Sequence, residues 1–564
     1  MNIYKKLNNE FKVFYLPWFW SFSIALLLCN LLMGGLNFID PRNALWISGD
    51  NRTAYLAQIY FISDEWRLPI GANPRYGMSL STSLTYSGPP SFIPILMKLA
   101  KINPELQFFG VWLFVCLFLQ ILFGYKIAKK LSSSQVLSLS FSILVLTPFL
   151  LQRMQYHYWL SAHFLILWTI YLYLVERENK VPSRLGRSLL FASGYLINGY
   201  LFFMCILLML LFDFSGLSFR TLRSQLPKIL NKWSSPCITI LSMYIILDFK
   251  AQNYSLWETF KMNFNGTYGA FPFNILSPIN PNVDLIPTYM ASVETGFGMN
   301  THFSTFWSGL QMTPGSYEGF LYLGLGIVLW IIIIFANLVF DANSQKKISS
   351  FIEQNEVSLV LTLIIFVYSL SLRIGIGPKE IKVQGPELLR WGLSSFRASG
   401  RFMWILAYLS LVLLLVLSIR LIRHKNAPII LLIVGVQILD LSGPLISRYQ
   451  ATKELEIHKY AGQGNIDLNN LDIKAFQNIL SISGKTKVKF ASPGMGPIGW
   501  ERAIPLAMKF NIPIDSIQSQ RMNFDEAKRM VLKTTSEICS NNLEKDAIYV
   551  VDSLHVKDLD CEDR

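Results

Sequence analysis

The sequence predicts an all-α polytopic membrane protein that carries a small soluble α/β domain at its C-terminus. Three observations predict it. The 564 residues are 52% hydrophobic and only 15% charged, with a mean hydropathy of +0.38, whereas a soluble chain carries about 25% charge. Apolar runs such as Leu321 to Phe340 and Trp404 to Ile419 match or approach the ~20 residues that cross ~30 Å of hydrocarbon. The runs are too many for a single anchor. They are also helix-length, unlike the ~10-residue alternating strands of an outer-membrane barrel.

The formal charge of +14 and pI near 9.3 would point to nucleic acid in a soluble chain. Here the basic residues sit in short clusters between apolar runs, where they set topology, so no nucleic-acid partner is expected. Met1 to Lys12 followed by Val13 to Leu32 reads as a spanning signal anchor rather than a cleavable signal. Further spans are expected at about 108–128, 135–151, 160–176, 234–249, 317–340, 356–373, 399–419 and 427–442. The stretch 187–212 is interrupted at Asn198-Gly199 and is read as a half-membrane hairpin, giving about 11 membrane segments including the first. With the hairpin, clusters such as Lys126/Lys129/Lys130, Arg220/Arg223/Lys228/Lys232 and Arg420/Arg423/Lys425 all fall on the cytoplasmic side, together with the N-terminus.

This arrangement divides the chain into a transmembrane domain at 1–442, with external loops at 35–107 and 250–316, and a C-terminal external domain at 443–564. Loops of such length are usually lids or binding loops. In the tail, Val488 to Ser492 and Ala547 to Val551 read as strands, and Trp500 to Phe510 and Asn523 to Ser540 as helices. Cys539 and Cys561 either close a disulfide loop or stay unpaired.

Charged residues beside spans carry the functional candidates. Asp40 and Asp50 follow the first span; either is a base, or caps the short helix beginning near Thr53, or simply sits in solvent. A Pro/Gly-punctuated loop follows, from Trp66 through Arg75 to Tyr76. Between two later spans, QRMQYHYWLSAH places Arg153, His157 and His163 close together; Arg153 either holds a phosphate or snorkels. The two histidines lack a carboxylate-rich partner motif, so no metal site is indicated. RWGLSSFRASGR puts Arg390, Arg397 and Arg401 at a span entrance, where free N–H groups favour an anion. Glu318 and Tyr322 either line the cavity or pack the helix entrance. Walker A, HExxH, CxxC and dinucleotide fingerprints are absent from the sequence.

Ser48-Gly49-Asp50 with Tyr55, WRLPIGANPRY at 66–76, Thr147 to His163, YEGFLYLGLG at 317–326, FRASGRF at 396–402 and, more weakly, Trp500 to Arg521 carry a resemblance. The chain resembles the GT-C superfamily of integral-membrane glycosyltransferases, and within it an uncharacterised bacterial membrane-protein family known only as a domain of unknown function. The resemblance implies transfer of a sugar from a polyprenyl-phosphate donor to an envelope glycan, lipid or protein on the periplasmic face of the inner membrane. Asp50 would be the base, with Arg75, Arg153, His157, His163, Glu318, Arg397 and Arg401 around the substrate. No cofactor is expected, and TYSGPP at 85–90 offers no second carboxylate for a metal. The rival readings are a flippase for a lipid-linked saccharide and a non-catalytic envelope scaffold. Against a carrier stands the absence of a convincing internal repeat.

Overall fold

The computed structural model describes residues 2–251, 268–283, 302–340, 353–385, 396–421 and 426–460, apart from 45, 48 and 89. In the tail it describes 486–491, 512–515 and 524–551, with the isolated positions 393, 478, 507 and 561; some helix side chains, among them that of Asp50, lie outside the description. The expected tail helix at 500–510 and most of the loop at 250–316 fall outside these residues.

The fold is mostly helical. Helices α1 (Asn2–Met33), α2 (Gly49–Ser63), α3 (Phe92–Leu99), α4 (Phe109–Leu131), α5 (Gln135–Leu144), α6 (Pro148–Tyr156) and α7 (Phe164–Asn179) come first. They are followed by α8 (Arg184–Ile197), α9 (Gly199–Asp213), α10 (Phe219–Leu247), α11 (Leu325–Phe340), α12 (Glu356–Leu370), α13 (Met403–Leu421) and α14 (Asn426–Tyr460). Among the described residues, five helices are long and apolar enough to cross a membrane: Tyr15–Met33, Phe109–Leu131, Tyr158–Asn179, Ser399–Arg420 and Ala427–Lys453. A sixth arises if α5 and α6, bent by 46° at Val145 to Thr147, count as one span.

Six is fewer than the eleven segments read from the sequence, and the difference has local causes. The run from 317 does not begin as helix. Gly315 and Gly324 take φ of +85° and +91°, so 316–324 forms a 3₁₀ turn and an irregular segment, and α11 starts at Leu325. The apolar helices Gly199–Asp213, Leu325–Val339 and Glu356–Leu370 are each shorter than a full crossing. The break at Asn198 is real. Its extended backbone ends α8, and its side-chain oxygen caps α9 by accepting from the Tyr200 N–H at 2.9 Å.

α8 and α9 pack together, because Gly194 lets the backbone of Phe202 approach. Arg187 then locks the pair: its buried guanidinium bonds Glu176 of α7 at 2.6 Å and Asp213 of α9 at 2.7 Å. Its sequence context suggested only a topological charge.

α14 is the spine of the second half. It packs against α1, α5 and α11 and runs to Tyr460, so the domain boundary expected at 442 falls inside a helix. Gly324 and Gly326 permit this contact, since a Cβ on Gly326 would stand 2.4 Å from the Ile433 carbonyl oxygen. Asp440, fully buried, accepts from Tyr322 hydroxyl (2.8 Å), the Leu325 N–H (2.9 Å) and Ser304 hydroxyl. It thereby caps the N-terminus of α11.

Two small sheets complete the described structure. Strands β1 (Arg373–Ile376) and β2 (Lys379–Lys382) form an antiparallel hairpin across Gly377, with Arg373 paired to Glu380. In the tail, β3 (Lys487–Ala491) pairs in parallel with β4 (Ala547–Val551), and α15 (Phe524–Cys539) packs on β3. Cys539 and Cys561 are disulfide-bonded. Ile514 then joins this unit to the first long loop through parallel bridges to Val488 on one side and Tyr76 on the other.

Candidate functional site

The site grows from a corner of the chain. Pro148 starts α6, and the helix ends at His157, where a short 3₁₀ turn (Tyr158–Ser161) leads into α7. Arg153, in the last turn of α6, is fully buried, so it does not snorkel. Its guanidinium donates to Glu318 Oε2 at 2.7 Å and to the carbonyls of Tyr317 and Glu318 at 2.9 Å each.

Glu318 sits in the 3₁₀ turn Ser316–Gly319 and is buried. Arg401, from the turn Ser399–Phe402 that leads into α13, donates to the same Oε2 from Nε (3.0 Å) and a terminal nitrogen (2.7 Å). Two glycines make the meeting possible. A Cβ on Gly400 would lie 2.8 Å from the Cα of Gly319, so only bare backbones let the two turns touch. Burial alone would raise the Glu318 carboxyl, but the charges of Arg401 and Arg153, with His157 nearby, hold it well below the usual carboxylate range.

Of the remaining candidates, His157, His163 and Arg397 interact with members of this cluster or with Tyr317 beside it. His157 is half-buried at the corner, edge-on to Trp159. Asp50 lies in the first turn of α2, and the residue after it is anchored: the Asn51 side-chain oxygen accepts the Tyr158 N–H at 3.0 Å. The first turn of α2 is thus seated against the turn that follows His157. Gly88 supports the same corner, as a Cβ there would press the Trp159 ring at 3.2 Å.

Arg397 is exposed, its guanidinium over the Phe271 ring at 5.6 Å. Arg75 is half-buried on the far side of the first loop, where its carbonyl accepts the Ile514 N–H at 3.1 Å. His163 is fully buried, with Nδ1 at 3.1 Å from the Tyr408 hydroxyl and its ring 4.4 Å from that of Trp404. Asp40 binds Arg42 two residues on and is partly exposed.

Sequence reasoning missed Asp248. This buried carboxylate at the end of α10 accepts from Thr85 at 2.7 Å and from the Tyr195 hydroxyl, so the TYSGPP stretch does meet an acidic residue from elsewhere in the chain. No spacing rule could have found a pair 163 positions apart. Among the described residues, no group of three or more His, Cys, Asp or Glu is placed to hold a metal ion.

A bundle of apolar helices enclosing a buried Arg–Glu–Arg cluster defines a multi-pass helical membrane protein with a charged internal site. The chain belongs to DUF6311, a domain-of-unknown-function family, which matches residues 23–442. That span takes in every candidate site residue named above and stops short of the tail. No curated protein matches the chain.

Proposed function

We propose that the protein is a GT-C-type glycosyltransferase of the bacterial inner membrane. It moves a sugar from a polyprenyl-phosphate donor to a cell-envelope glycan, lipid or protein at the periplasmic face. In this reading the N-terminus is cytoplasmic, and the tail forms a periplasmic α/β domain. The three shorter apolar helices, together with α8 and α10, bring the six spans to the eleven membrane segments of this reading.

The observation that supports the reading is the Asn51–Tyr158 hydrogen bond, which seats the helix turn carrying Asp50 beside the corner carrying His157 and Arg153. A helix turn carrying Asp50, seated beside two fixed guanidinium groups, suits a displacement at an anomeric carbon. Asp50 takes the proton from an acceptor hydroxyl, whose oxygen bonds to the anomeric carbon as the bond to the prenyl phosphate breaks. The electron pair leaves on the phosphate, where Arg401 and Arg153 offset the charge with N–H groups that Glu318 does not occupy. Arg397 at the exposed lip and Arg75 on the first loop would guide the substrates, with His157 and His163 around them. Glu318 keeps the two arginines from drifting apart or repelling. No cofactor is needed for this step.

The test is transfer of radiolabelled sugar from a panel of polyprenyl-phosphate sugars by membranes containing the wild type or Asp50→Asn. Transfer by the wild type, lost in an inserted and folded Asp50→Asn variant, supports the reading. Retained transfer in the variant removes Asp50 as base. With acceptor supplied, no donor consumption by either protein favours a carrier or a scaffold.

A further inference from the structure

Behind the Glu318 face, Arg153, His163 and Trp404 meet in a second cluster. All three side chains are fully buried. The Arg153 guanidinium carbon lies 5.3 Å from the centroid of the Trp404 ring, and the His163 and Trp404 rings are 4.4 Å apart. Each residue presents one nitrogen with no hydrogen-bond partner among the described residues: Arg153 Nε, His163 Nε2 and Trp404 Nε1.

Chemistry makes all three donors. Arginine Nε and indole Nε1 carry hydrogen in every state. For His163 the tautomer with hydrogen on Nε2 fits the neighbours: the Tyr408 hydroxyl, whose oxygen accepts from Gln120 Nε2 at 3.0 Å, can give its own proton to Nδ1 at 3.1 Å.

The charge count points the same way. Among the described side chains, two buried guanidinium groups face one carboxylate, Glu318, which leaves one positive charge in excess there. An uncompensated buried charge and three buried N–H groups without acceptors are both costly, and one negative species relieves both. We propose that Arg153, His163 and Trp404 form a binding site for one small monovalent anion, such as chloride. Complete burial of all three side chains suits an ion of halide size. The site shares Arg153 and His163 with the transferase reading, but its test needs no sugar donor and stands whether or not that reading fails.

The test uses the full chain purified in detergent, with sodium gluconate exchanged for sodium chloride or bromide at constant ionic strength. The expected result is a saturable rise of several degrees in the unfolding midpoint, with saturable broadening of the ³⁵Cl resonance. Trp404→Phe keeps the ring and removes one donor, and should raise the halide concentration for half effect at least tenfold. His163→Phe, which also keeps a ring, serves if Trp404→Phe does not fold. Identical midpoints in gluconate and halide for the wild type, with no ³⁵Cl broadening, overturn the proposal and assign the three donors to water. A halide response that both folded variants retain unchanged overturns it too, by placing the ion elsewhere.

Discussion

Arg401 and Glu318, 83 positions apart, meet through two hydrogen bonds of 3.0 and 2.7 Å to a single carboxylate oxygen, which Arg153 also reaches at 2.7 Å. One carboxylate thus joins α6, the turn before α11 and the turn before α13. Burial makes the arrangement asymmetric: the ion cluster adds little net stability over an apolar core, yet losing its single anion strands two cations.

Glu318→Gln should therefore destabilise the folded protein by about 3–5 kcal/mol, read as a lower unfolding midpoint in detergent. Replacing Glu318, Arg153 and Arg401 together with apolar residues of similar volume should cost less. A triple variant weaker than Glu318→Gln would contradict this account.

The same group sets a pH dependence. The folded-state carboxyl of Glu318 lies below its ordinary value, so its contribution is complete above the unfolded-state pKa of about 4.3. It is lost only as pH falls from there through the depressed folded-state value. Between pH 7 and about 5, then, the difference in midpoint between wild type and Glu318→Gln should stay constant, and it should shrink below about pH 4. A difference that closes already near neutrality would mean that Glu318 is not held ionised.

Gly400→Ala should act on the same cluster from the backbone side. The added Cβ would lie 2.8 Å from Gly319 Cα and 2.9 Å from the Phe273 nitrogen, both main-chain atoms that cannot rotate away. The two turns must part, at a cost of about 1–3 kcal/mol, and Arg401 is drawn off Glu318. In the transferase reading, the donor KM should rise more than kcat falls. A Gly400→Ala protein with wild-type stability would show that the turns tolerate separation.

Helix positions were readable from apolar runs, and the α8–α9 break from a single Asn-Gly step, because both signals are local. Arg153 and Arg401 stood out because a charge beside an apolar run needs a reason. Glu318 was a candidate beside them, either lining the cavity or packing the helix entrance, but its pairing with both arginines was not readable, because folding must first bring Gly319 against Gly400, a contact that depends on two missing side chains. Asp248 and Thr85 were hidden for the same reason, and so was Arg187, whose partners lie on two other helices. The shortened α11 was misread because the apolar run counts Phe320 to Gly324 as helix, whereas Gly324 holds a positive φ and Asp440 caps Leu325. In the tail, alternating apolar residues marked β3 and β4, but the bridge at Ile514 has no local pattern.

Breaking the Cys539–Cys561 bond should affect the tail alone. Closing a loop with a sequence separation of 22 contributes about 3 kcal/mol in the chain-entropy view. Cys561→Ser, or reduction, should therefore speed proteolysis within α15 and β4. The unfolding midpoint of the helical part should be unchanged, since the described contacts of the disulfide lie within the tail. A shift of both would indicate that the two parts unfold together.

Ile514→Pro tests how the tail reaches the membrane part. Ile514 donates to the Arg75 carbonyl at 3.1 Å and accepts from the Gly77 N–H at 3.0 Å, while its neighbours Pro513 and Asp515 bond Val488. One residue thus carries sheet pairing from β3 to the loop that holds Arg75 and Tyr76. Close by, the Tyr60 hydroxyl donates to the Ile512 carbonyl at 2.8 Å. Proline removes the N–H that Arg75 accepts and also leaves a smaller side chain at a fully buried position, so Ile514→Val, which trims the side chain but keeps the N–H, separates pairing from packing. The expected outcome is faster proteolytic release of the tail, with α2 and its neighbours retaining their unfolding midpoint. If the tail helps to hold the Arg75 loop in place for substrate, the variant should also show a raised acceptor KM at nearly unchanged kcat. Ile514→Val, which keeps the N–H, should restore both readouts. Equal proteolysis of wild type, Ile514→Pro and Ile514→Val would show that the Arg75 bridge is not what retains the tail.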